Sequence, residues 1–65
     1  MNLNSLSVYC LEVIEKYPSL EDSVKDAFDL ARSEIAAGED ELHEVELAGG
    51  YIEELVEDLL EELSS

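Results

Sequence analysis

Residues 40–63 read DELHEVELAGGYIEELVEDLLEEL, and this stretch decides the fold. Leu42, Val45, Gly49, Ile52, Val56, Leu59 and Leu63 alternate spacings of three and four without a break. That pattern is the seam of a single helix about 36 Å long at 1.5 Å per residue. Gly49-Gly50 lowers helix propensity by about 1 kcal/mol per glycine, yet the register runs straight across the pair. The reading is a continuous or gently kinked helix, with a loop at Ala48–Gly50 and four short helices as the alternative. Gly49 falls on the seam itself, where the missing side chain would let another helix approach closely.

Two further helical stretches precede it. The first is read from about Ser5 to Tyr17 with Asn4 as N-cap. Leu6, Cys10, Val13, Ile14 and Tyr17 recur there at helical spacing, with Tyr9 beside them. Pro18 ends it, because the residue before a proline is pushed out of the α region. Ser19 is read as the cap of the second helix, and Glu21 and Asp22 stand in its first turn, where the dipole favours negative charge. Leu20, Val24, Ala27, Phe28, Ala31 and Ile35 form its apolar stripe, and Gly38 its C-terminal stop. Glu21–Lys25 and Asp29–Arg32 are supportive pairs at helical spacing. No run of β-branched residues alternates with period two, so no strand is expected. The fold expected is all-α: one domain over residues 1–65, a small antiparallel three-helix bundle with a long acidic C-terminal helix.

Size limits what such a bundle can bury. A chain of 65 residues removes only about 60% of its unfolded surface from water. Its core then supplies about 3–5 kcal/mol. Hydrophobic residues make up 46% of the chain, enough for a folded domain despite the charge. The single cysteine, Cys10, excludes an internal disulfide and suggests a reducing cytoplasm. The first residues carry neither a basic segment nor an apolar one, so no signal peptide is read. Apolar runs fall far short of the ~20 residues that span a bilayer. A soluble, cytoplasmic protein is expected.

The charge distribution is the strongest functional signal. From Ser33 onward there are twelve carboxylates and no Lys or Arg; Lys16, Lys25 and Arg32 are the only basic side chains. The formal net charge is −15, which argues against direct binding to nucleic acid or an anionic membrane and favours a basic protein partner. Glu46, Glu53, Glu54, Glu57, Asp58, Glu61 and Glu62 cover most of the polar arc of the last helix. Glu53–Glu57, Glu54–Asp58, Glu57–Glu61 and Asp58–Glu62 are like-charge pairs at i,i+4, each costing roughly 0.2–0.5 kcal/mol. Glu61 and Glu62 also oppose the helix dipole. Solvation alone accounts for many glutamate-rich faces; the complete absence of lysine here points further.

Residues 53–62 set six carboxylates on about 15 Å of helix, one per ~2.5 Å. Duplex DNA carries a charge every ~1.7 Å of axis. In composition and size the chain resembles the small acidic DNA-mimic inhibitors that phages and mobile elements deploy against nucleases, restriction systems and repressors. That resemblance implies a protein that occupies a basic, nucleic-acid-binding surface of its partner. Leu47 and Tyr51, four apart, project among the acids and would serve as apolar anchors. A bend at the glycines would instead turn them toward the first helix.

Catalytic chemistry finds little support. Asp40-x-x-His43 and Glu41-x-x-Glu44 have the spacing of di-iron bundles, but those sites need two such motifs and this chain has one His. Residues 38–43 lack the alternating oxygen ligands of a calcium loop. Cys10 lies on an apolar stripe without a basic neighbour, Ser5, Ser7 and Ser19 have no histidine close in sequence, and no glycine-rich phosphate loop occurs. No enzyme, cofactor or metal is expected. The leading expectation is a protein-binding inhibitor or regulator acting through Glu46, Leu47, Tyr51, Glu53, Glu54, Glu57, Asp58, Glu61 and Glu62. The alternative is a structural homo-oligomer whose acidity serves solubility or salt adaptation; Tyr9 and Tyr17 are read first as core packing with a wet hydroxyl and second as a homodimer contact.

Overall fold

A computed structural model describes residues 2–64. Three helices pack on one another, α1 (Leu3–Lys16), α2 (Glu21–Ala36) and α3 (Glu41–Ser64). A single 3-10 turn, Pro18–Leu20, joins the first two. There is no strand among the described residues, so the all-α bundle is the observed fold.

Each boundary has a local cause. Asn2, rather than Asn4, caps α1: its Oδ1 accepts the backbone N–H of Ser5 at 2.9 Å. The helix therefore starts at Leu3, which packs against the core and adds part of a turn. Pro18 stops α1 as expected, with Tyr17 at φ −132° and ψ 74°. Ser19 does not cap α2. It lies within the 3-10 turn, where Leu20 N–H bonds the Tyr17 carbonyl at 2.9 Å, and Leu20 precedes α2 without a side-chain cap. Gly38 ends α2 at φ 104°. Gly38 N–H donates to the Ile35 carbonyl and Glu39 N–H to that of Glu34, both at 3.0 Å, the double bond of a Schellman motif. Asp40 then caps α3, its Oδ1 accepting from Leu42 N–H at 3.1 Å.

Helix α3 runs unbroken through Gly49 and Gly50, so the four-helix alternative does not describe the molecule. Close approach at Gly49 is not the reason for the glycine: a Cβ built at either position meets nothing within 4 Å. The buried residues of α3 are Val45 and Ile52 of the seam together with Ala48, and Val56 of the seam packs against the same core. Leu42 and Leu63, at the ends of that seam, are 52% and 72% exposed. A straight helix advances 100° per residue, so a strict heptad line drifts by about 20° each repeat. The core side has shifted toward Ala48 as a result.

Leu6, Cys10 and Val13 of α1, Val24 and Ala31 of α2, and Val45, Ala48 and Ile52 of α3 form the core. Cys10 is buried and free, and burial pushes its thiol above the ordinary value of 9.0. It should stay unmodified by iodoacetamide near neutral pH in the native state and react fully in urea, read by mass spectrometry. Rapid native labelling would mean that α1 opens readily.

Candidate functional site: an acidic helix beside an apolar groove

At 1.5 Å per residue α3 is about 36 Å long, against about 21 Å for α1 and about 24 Å for α2. The molecule measures 42 × 18 × 17 Å. Val56 is the last α3 residue packed against the core, and residues 60–64 are all exposed. The final turns of α3 are therefore an overhang, with Leu60 and Leu63 left in solvent.

Glu46, Glu53, Glu54, Glu57, Asp58, Glu61 and Glu62 are all exposed. They do not form one stripe. Glu53 lies toward α1, close enough to Tyr9 to act on its phenol, whose pKa is raised above 10.0 by burial first, then by Glu53 and Cys10. Glu54 and Asp58 continue along the side of α3 that carries Leu47 and Tyr51, three to four residues apart. Neutralisation within the molecule is sparse. Lys25 pairs with Glu21 at 3.6 Å, as the spacing suggests, while the Asp29–Arg32 pair is not formed. Glu46, Glu53, Glu54, Glu57, Asp58 and Glu61 of α3 make no ion pair with a Lys or Arg among the described residues. His43 is exposed at the start of α3, and the described residues gather no cluster of three His, Cys, Asp or Glu that could hold a metal ion.

Leu47 and Tyr51 do not turn toward α1. They are 57% and 46% exposed and line a groove against α2, facing Ser23, Asp26, Ala27, Leu30 and Ala31. Glu44 and Ala48 complete the lining, and the groove encloses about 360 Å³. The small core leaves no room for an internal cavity of that size, and the space arises between helices instead. Leu30, 63% exposed, is the residue that sequence reasoning missed, because it falls outside the apolar stripe of α2. Its i,i+4 neighbour Asp26 and its i−3 neighbour Ala27 share the same side of the helix. Tyr9 and Tyr17 are half-buried and pack against the core, and they line a smaller depression with Glu12, Val13, Lys16 and Val56.

Fold and surface together define an acidic three-helix bundle with an overhanging carboxylate-bearing helix and an adjacent apolar groove. No family model matches the chain, nor does any curated protein or solved structure. No described helix is long and apolar enough to cross a membrane.

Proposed function

We propose that this protein is a non-enzymatic binding module that covers a basic, nucleic-acid-binding surface of a partner protein, acting as an inhibitor of DNA-mimic type. The observation that supports this reading is the set of exposed carboxylates Glu53, Glu54, Glu57, Asp58 and Glu61 of α3, none of which forms an ion pair with a Lys or Arg among the described residues. Glu53, Glu54, Glu57, Asp58, Glu61 and Glu62 stand in for phosphates on a rigid helix, releasing the counterions of a cationic groove. Leu47 and Tyr51 supply apolar contact that lengthens the complex's lifetime, while charge sets the association rate. A helix kept only for solubility would gain by interleaving lysine, since the like-charge pairs oppose folding.

The test is charge reversal at Glu54, Asp58 and Glu61 to Lys. Glu61→Lys replaces repulsion of Glu57 by attraction and puts a cation at the negative end of the dipole, so helicity holds or rises. Protein captured from lysate on the immobilised wild type should elute early in a salt gradient, bind duplex DNA, and lose DNA when the acidic chain is added. The triple variant should capture none of it. Undiminished capture by the variant, or a captured protein whose DNA binding is untouched, would refute the proposal.

A further inference from the structure

The groove beside α3 gives the partner a definite shape. We propose that the space between α2 and α3 seats a cationic amphipathic helix of the partner protein, with its apolar side on Leu30, Leu47 and Tyr51. This rests on the reading that the partner is basic, and it adds α2 as half of the contact surface.

Four observations carry it. First, the groove is built to take side chains. Ala27, Ala31 and Ala48 form a low floor, and the exposed Leu30, Leu47 and Tyr51 rise around it. Second, its length suits a helix. From Glu44 to Tyr51 is seven residues, about 10 Å of rise or two turns, the span of an i, i+3, i+4, i+7 set of anchors. Third, only negative charge borders it. Asp26 and Glu44 lie in its lining, and Glu54 follows Tyr51 by three residues on the same side of α3. Lys25 and Arg32 each come two residues after a groove residue of α2, Ser23 and Leu30, and so point about 200° away around the helix. Lys25 is also engaged with Glu21. Fourth, the protein's own charge of −15 sets a second copy against it, because like charges would meet across the contact. An uncharged apolar ligand would leave Asp26 and Glu44 unanswered at the rim.

The probe is a fluorescent peptide of leucine and lysine about fourteen residues long, with leucines at the anchor spacing, compared with a shuffled peptide of the same composition. Fluorescence anisotropy should show the patterned peptide binding at least about tenfold more tightly, and Leu30→Ser should lower that affinity about tenfold. Leu30 is exposed and outside α3, so the variant keeps its helicity by circular dichroism. With the unmodified protein, NMR shifts on adding the patterned peptide should centre on Ala27, Ala31 and Ala48.

Equal affinity for both peptides overturns the groove. So does an unaltered Leu30→Ser affinity, or shifts confined to residues 53–62. If in those cases the Glu54, Asp58 and Glu61 reversal still abolishes binding, the basic-partner reading survives and only the groove is lost. If that reversal leaves peptide binding unchanged too, both fall. Concentration-dependent dimerisation removed by Leu30→Ser would assign the groove to a second copy and refute the cationic helix.

Discussion

Ile52→Ala leaves the protein largely unfolded at room temperature. Ile52 is one of the largest side chains that the bundle buries completely, together with Leu6, Val24 and Val45. Replacing a buried isoleucine by alanine costs about 2–5 kcal/mol, counting the lost transfer energy and the cavity left behind. A single core of this size supplies about 3–5 kcal/mol in all. The rest of the core has little reserve, since Cys10, Ala31 and Ala48 are small. Neither a disulfide nor a buried polar network among the described residues backs it up. The measurement is far-UV circular dichroism with a urea titration. Leu63→Ala is the control: it has the same helical spacing and lies on the overhang, 72% exposed. It should change stability by less than about 0.5 kcal/mol. Equal losses at the two positions would mean that the overhang is packed in solution against something the isolated bundle does not provide.

That contrast bears on how the molecule divides its labour. Core contacts of α3 end near Val56, whereas the density of carboxylates is greatest from Glu53 onward. The part of the helix that holds the bundle together and the part that repels itself overlap only over residues 53–56. Charge can accumulate on the overhang without loosening the core, so charge reversal at Asp58 and Glu61, beyond the last core contact, spares the packing.

Much of this was legible in the residues because it depended on local rules. Proline at 18, glycine at 38 and the Glu21–Lys25 spacing each act within one helical turn, and the structure carries all three as read. The exposure of the α3 acids follows from periodicity alone. The cap of α1 was read two residues late, at Asn4, because Asn2 and Asn4 are chemically equivalent caps. What separates them is the packing of Leu3, which extends the helix by tertiary contact. Ser19 was misread because the proline before it starts a 3-10 turn, and that turn satisfies the backbone without the hydroxyl. The middle of the α3 seam is buried as its spacing implies, but its ends, Leu42 and Leu63, are exposed because the two shorter helices do not cover the full length of α3. Leu30 could not be found from its own helix at all. Only the docking of α2 on α3 puts it across from Leu47 and Tyr51, the two anchors that the helical spacing had already marked, and joins the three into one groove.

Gly49→Ala with Gly50→Ala should raise the melting temperature by about 8–16 °C. In a helix interior each glycine is about 1 kcal/mol less favourable than alanine, through backbone entropy lost on folding. For a domain of this size each kcal/mol shifts the midpoint by roughly 4–8 °C. The sign depends on whether a methyl group fits, and the geometry answers that: both positions are helical, neither has positive φ, and a Cβ at either touches nothing within 4 Å. No packing reason for the pair therefore exists in the isolated bundle, and thermal melts followed at 222 nm should show the full gain. A loss of stability would place another chain against that surface, or show that α3 does not run straight through these residues in solution. The same variant probes the proposed function. Gly50 lies beside Tyr51, and the glycines sit between Leu47 and the acidic turns from Glu53 onward. If the rod needs only stiffness, the doubly substituted protein should bind the partner as tightly as the parent or more so. If partner affinity falls while the melting temperature rises, the glycines serve to let α3 bend as it docks, and a rigid charge rod is the wrong picture of the complex.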